Sequence, residues 1–121
     1  MILKKNKKVS RTIMACMMCA AVTLPSLSVC AKPLSRSYSG SFSKAWERYA
    51  SEDSGKAGLT YGFNTFAFNE DYAWAKHNTQ SHYAALKNGS GWHTGSGKKA
   101  GSTSKIEVIH KGTSISYYCY Y

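Results

Sequence analysis

From Leu59 to Tyr121, apolar and polar residues alternate with a period of two. One such stretch runs from Tyr61 to His77 and is dominated by Tyr61, Phe63, Phe66, Phe68, Tyr72 and Trp74. A second runs from Ser104 to Tyr121 through Ile106, Val108, Ile115, Tyr117 and Cys119. Aromatic and β-branched side chains at this spacing suit a pleated, half-buried surface, so the pattern predicts strands. Leu59, Tyr61 and Phe63 share one parity while Phe66 and Phe68 share the other, which predicts a bulge or bend near Asn64-Thr65. Asn78-Thr79-Gln80 reads as a turn into a strand over residues 82–87, and Asn88-Gly89-Ser90-Gly91 as a tight turn. Gly95 to Thr103 is a loop of small residues.

The last two strands also predict a register. With Gly112-Thr113 as a two-residue loop, His110 falls opposite Ile115, Val108 opposite Tyr117, and Ile106 opposite Cys119. These six share one face, and a slip of one residue would turn them all outward, so that face is the expected core.

Upstream the period lengthens. Phe42, Ala45, Trp46, Tyr49 and Ala50 fall at i, i+3, i+4, i+7 and i+8, with Ser41 placed to cap and Gly55 near the end. That spacing predicts a short helix. Lys32 to Gly40, rich in serine and containing Pro33, reads as a flexible lead-in. The expected fold is therefore all-β: a small β-domain over residues 59–121, preceded by a lead-in over 32–58 with a short N-terminal amphipathic helix.

The first 31 residues follow a different logic. Lys4, Lys5, Lys7, Lys8 and Arg11 precede an uncharged run from Thr12 to Ala31 that ends in Val29-Cys30-Ala31. A charged start, an apolar middle and small residues at a cleavage position define a secretory signal peptide over 1–31, which implies a secreted, extracellular protein. An uncleaved anchor and a lipoprotein linked through Cys30 are the alternatives, the first weakened by Pro25 and the second by Val29.

Removing that segment changes the charge and the cysteine chemistry. The whole chain carries 16 Lys and Arg against 6 acids, a formal +10. Five of the cations belong to residues 1–31, leaving 11 against 6, or +5. A basic remainder favours an anionic surface, and a secreted address makes nucleic acid the least suited of these. Cys16, Cys19 and Cys30 leave with the signal, so only Cys119 remains. A single cysteine supports no internal disulfide framework; it is a buried thiol or, alternatively, the bridge of a homodimer.

Candidate chemistry is sparse. Glu70 and Asp71 are neighbours in a strand and point to opposite faces, so they cannot flank one bond as an acid pair. His77 and His82 stand either side of a turn, but no close Cys, Asp or Glu completes a metal set. Gly95-Ser96-Gly97-Lys98-Lys99-Ala100 spells GxGxxA without the strand and helix that give the motif meaning. Its backbone amides beside Lys98 and Lys99 are a candidate anion nest. No nucleophile, acid pair or metal set assembles, which predicts a non-enzymatic protein with no cofactor.

The chain resembles the lactococcin 972 family of exported, unmodified bacteriocins. The resemblance rests on a signal peptide followed by Tyr61-Gly62-Phe63, Tyr72 with His77, Gln80-Ser81-His82 leading into a strand, and Asn88-Gly89. Ala100-Gly101 before Ser104-Lys105 and the ending Tyr117-Tyr118-Cys119-Tyr120-Tyr121 complete it, over roughly residues 59–121. It implies a small antiparallel β-sandwich and an antibacterial protein acting on the envelope of related bacteria, with the cell-wall precursor lipid II as partner. Residues 32–58 and Cys119 depart from the family pattern. Charge and aromatic placement nominate Lys76, His77, Lys98, Lys99, Tyr118 and Tyr120 as the binding residues. A secreted envelope-binding or adhesion module without toxicity is the alternative reading.

Overall fold

The computed structural model describes residues 33–121, so the proposed signal peptide lies outside the described residues. Eight strands follow one another: β1 (Pro33–Ser39), β2 (Trp46–Glu52), β3 (Ala57–Asn64), β4 (Glu70–His77), β5 (Tyr83–Asn88), β6 (Gly91–Thr94), β7 (Thr103–Ile109) and β8 (Ser114–Tyr120). They form two four-stranded antiparallel sheets, ordered β1-β8-β5-β6 and β2-β3-β4-β7. The all-β fold expected from the alternation, and the antiparallel sandwich that the resemblance implies, are what the chain adopts.

The interior is built from the inward parity of both sheets. Leu34, Leu59, Leu86, Ile115, Tyr117 and Cys119 are fully buried, with Ala57, Ala73, Ala75 and Ala84 among them. The alanines of β4 and β5 leave room for the rings of Tyr61 and Tyr117, whose centroids lie 4.9 Å apart. Alternating large and small side chains is how facing layers interdigitate at native density. A chain with a single cysteine in this region thus relies on packed aromatic area.

Three expectations require correction. The first is the helix. Residues 46–52 are a strand that pairs with β3 over seven positions, from Trp46↔Phe63 to Glu52↔Ala57, and no helix is present among the described residues. Trp46 and Ala50 turn toward the core while Tyr49 is 66% exposed. A three-turn helix is marginal in isolation, whereas pairing with β3 satisfies the backbone and buries part of the same side chains. The residues taken for the end of the helix form a tight turn instead. Asp53, Ser54 and Gly55 all have positive φ, and Gly55 and Lys56 donate back to the carbonyls of Glu52 and Asp53.

The second correction concerns the lead-in. Residues 33–39 are β1, paired with β8 from Pro33↔Tyr120 to Ser39↔Ser114. The sandwich therefore begins at Pro33 rather than at Leu59.

The third concerns the last hairpin. β7 and β8 do not pair: β7 lies beside β4, with Ile106 opposite Ala73, and β8 lies between β1 and β5. Residues 110–113 cross from one sheet to the other. The predicted core face nevertheless holds, since Ile115, Tyr117 and Cys119 are buried and Ile106 and Val108 pack on the same cluster. Parity fixes which way a side chain points; it does not fix which strand lies alongside.

Two other expectations meet the chain closely. Asn88 pairs with Gly91, and Gly91 has φ of 111°, so the β5–β6 connection is a two-residue turn. The bend near Asn64 is the end of β3, after which residues 65–69 leave the sheet.

Candidate functional site

The outer face of the β2-β3-β4-β7 sheet is laid out in rows by the pairing. Tyr49, Thr60, Trp74 and Lys105 form one row, flanked by Ser51, Gly58, Lys76 and Thr103 on one side and by Glu47, Gly62, Tyr72 and Glu107 on the other. A groove of about 290 Å³ lies among the first two rows and the adjoining turns. Tyr49 and Trp74 are its aromatic walls, Gly58 and Thr60 its floor, and Lys56, Lys76, Asn78 and Thr103 its polar rim. Gly58 lets the Tyr49 ring lie close over β3, because a Cβ there would stand 2.6 Å from the Tyr49 hydroxyl and push the ring aside.

Local bonds fix the rings. The Trp74 indole N–H donates to Glu107 Oε2 at 3.1 Å, and the Lys105 ammonium lies 4.5 Å from the Trp74 ring centroid. The Tyr72 hydroxyl donates to Glu47 Oε2 at 2.7 Å. Burial, reinforced by the Glu47 carboxylate, pushes the Tyr72 phenol above its ordinary range, so it stays a neutral donor. The carboxylates of Glu47 and Glu107 are thus each engaged by an aromatic donor, while Lys56 and Lys76 stand exposed at the rim. Flat rings, hydroxyls and ammonium groups in one concavity suit a ligand with a weakly polar ring face and an anionic substituent.

The six nominated residues do not form one site. Lys76 is exposed and belongs to the groove. Lys98 and Lys99 are exposed on the 95–102 connection, which leaves the sheets at the same end as Lys56 and Asn78. Two amides of the expected anion nest, those of Gly95 and Lys98, are used by the fold, as are those of Gly101 and Ser102 beyond it. The amides of Gly95, Lys98, Gly101 and Ser102 donate to the carbonyls of Ala84, His82, His77 and Lys99.

His77 is a structural residue, contrary to the binding role expected of it. It is fully buried, its Nε2 lies 2.9 Å from Asp53 Oδ2, and its Nδ1 accepts from the amides of Thr79 and Gln80 at 3.1 and 3.0 Å. Two amides on Nδ1 leave the proton on Nε2, pointed at the carboxylate. His77 therefore ties the 53–56 turn to the 78–80 turn. His82, 1% exposed, has its two ring nitrogens 2.9 and 2.6 Å from the carbonyls of Gln80 and Ser102. These two rings hold the loops around the groove, and among the described residues no cluster of His, Cys, Asp or Glu could hold a metal.

Tyr118 and Tyr120 lie on the outer face of the other sheet. Tyr83 and Tyr120 stack at 5.1 Å, Tyr120 and Tyr118 at 5.5 Å, and Tyr118 meets Trp92 at 5.0 Å. This continuous ladder covers that sheet. Cys119, between them in sequence, points inward with 0% exposure, and burial pushes its thiol up to about 12. A homodimer bridged through Cys119 would require the core to open.

Asp71 was weighed in the sequence only as half of an acid pair with Glu70, and its buried structural role was missed. Asp71, fully buried, accepts from Asn88 Nδ2 at 2.9 Å and faces His110 Nδ1 at 2.8 Å. It links β4 to the β5–β6 turn and to the 110–113 crossing. The signal available was strand parity, which sends Asp71 inward with Ala73 and Ala75. Tyr49 was missed because its strand read as a helix, and Trp74 because the expected site was sought among cations and terminal tyrosines.

Comparison with models of known families, with characterised proteins and with solved structures found no match.

Proposed function

We propose that this is a secreted antibacterial protein that acts on the envelope of related bacteria by binding an anionic, sugar-bearing cell-wall precursor such as lipid II. The observation that carries the reading is the groove: Tyr49 and Trp74 beside Lys56 and Lys76 on one open sheet face. A sugar ring can lie on an indole, and a phosphate or carboxylate can be met by two ammonium groups. The balance of +5 outside the first 31 residues, and the resemblance to exported bacteriocins over roughly residues 59–121, support the same direction. Binding of this kind asks for no nucleophile, so the protein acts by sequestering its ligand.

The test is growth inhibition of related bacteria by the purified protein, with purified precursor as competitor. Inhibition that precursor abolishes, and that W74A combined with K76E weakens by roughly tenfold or more, is the expected result. Inhibition insensitive to precursor moves the target elsewhere. A folded protein that binds bacterial envelopes and inhibits no strain is the adhesion module instead.

A further inference from the structure

Four connections gather at the end of the sandwich opposite the groove: residues 40–45, 65–69, 89–90 and 110–113. The 65–69 connection reads Thr-Phe-Ala-Phe-Asn, and its two phenylalanines are the reverse of buried. Phe66 is 97% exposed and Phe68 63% exposed, with Ile109 at 61% on the strand end beside them. Isolated exposed apolar residues are ordinary on protein surfaces. Two phenylalanines in five residues at a loop tip, joined by an isoleucine, form a patch that calls for a partner.

The rings are not awaiting a place in the core. The space beneath them is filled by Phe42, Phe63 and His110, whose ring centroids lie 4.5 to 5.3 Å apart. The roots of the loop are fixed: the Phe66 amide donates to Asn64 Oδ1 at 3.4 Å, and the His110 amide donates to the Asn69 carbonyl at 2.8 Å. The fold therefore presents the two rings outward on an ordered stalk. The four connections contain Lys44 and Lys111, both exposed, and no acidic residue.

We propose that this end of the sandwich docks on an anionic phospholipid bilayer, with Phe66 and Phe68 inserted at the headgroup–acyl boundary and Lys44 and Lys111 among the lipid phosphates. Apolar rings flanked by cations match the layered chemistry of a membrane surface, and the charge attraction falls with salt. A second copy of the chain is a poorer occupant. A Phe side chain covers about 150–250 Å², so the tip falls short of the roughly 800 Å² that each partner hides in a stable complex. This inference rests on the tip alone and does not depend on the groove or on killing.

The test uses the purified full chain with vesicles of phosphatidylglycerol or of phosphatidylcholine. Wild type is expected to cosediment with the anionic vesicles, and F66S combined with F68S to weaken that binding roughly tenfold or more with an unchanged melting temperature. The K44E and K111E pair should lower binding to anionic vesicles and leave the neutral ones unaffected. Because the N-terminal residues could hold the chain to lipid by themselves, F66W supplies a local readout: brominated lipid should quench the introduced indole. An unquenched indole in vesicle-bound protein overturns the proposal, whatever the serine pair does to total binding. So does a self-associated protein that the serine pair converts to monomer, which would assign the tip to a second copy. Loss of W74A growth inhibition with intact vesicle binding would separate the groove from the tip.

Discussion

The two outer faces of the sandwich carry the same kinds of side chain and end up with opposite characters. On the β1-β8-β5-β6 sheet, Tyr83, Tyr120, Tyr118 and Trp92 lie against one another, each ring covering the next. On the β2-β3-β4-β7 sheet, Tyr72 and Trp74 meet at 5.5 Å, but Gly58, Thr60 and Gly62 run down the neighbouring strand and keep Tyr49 from extending that pair into a similar ladder. The rings of this second face are held by carboxylates, Tyr72 by Glu47 and Trp74 by Glu107, and a groove remains beside them. Aromatic content alone therefore does not define a binding surface. The spacing between rings does, and a few small residues set it.

The harshest way to break this contrast is Gly62→Ala. A Cβ at Gly62 would fall on the Trp46 carbonyl oxygen and close to the Tyr72 hydroxyl, so β2 would have to move off β3. A loss of about 3 kcal/mol or more is expected in chemical denaturation, since backbone cannot yield as a side chain can. Gly58→Val is subtler, because the atom in its way is the far end of Tyr49, which can swing aside. The fold should persist while ligand binding at the groove falls roughly tenfold or more, read by titration calorimetry against purified precursor.

Tyr118→Ala works on the opposite face. It removes the ring between Tyr120 and Trp92 and should cost about 1 kcal/mol of stability, with groove binding unchanged. Alkali offers the mildest probe. Cys119 is raised from 9.0 to about 12 by burial, so the folded state favours the neutral thiol. Its contribution is fully present below about pH 9 and is lost as pH rises toward 12. By pH 10 this contribution should have declined by about 1 kcal/mol, and Cys119→Ala should make the stability curve less steep between pH 8 and 10, the buried Tyr72, Tyr117 and Tyr121 keeping the rest of the decline.

The sandwich was legible in the sequence where alternation was long and unbroken. Leu59, Tyr61, Phe63, Ile115, Tyr117 and Cys119 all face inward as parity requires. Trp46 and Tyr49 were misread because a strand on the edge of a sheet has weak alternation. Arg48 turns inward there only as far as the rings of Tyr38 and Trp46, with its guanidinium 5.2 and 5.1 Å from their centroids. The lead-in was misread because Ser35, Ser37 and Ser39 point outward from β1, leaving only Leu34 and Tyr38 to mark its inner face. With β1 absent from that picture, β8 had a free edge to assign, and sequence proximity gave it to β7. The site followed from the same limits. Lys76 was found by charge, but the ring opposite it comes from β2, and no local pattern announces a neighbour more than twenty residues away.

One feature of the topology governs how the molecule is assembled in time. β8, last of the eight strands in sequence, sits between β1, the first, and β5. Pro33 pairs with Tyr120 across almost the whole described length, so loop closure must be achieved before that sheet gains its central hydrogen bonds. Folding is expected in the slow, millisecond-to-second range of topologies dominated by distant pairings. A chain emerging from a ribosome cannot complete this sheet until its final strand is delivered. Up to that moment β1 and β5 lack the strand that lies between them, and a single late insertion then joins the first described strand to the last.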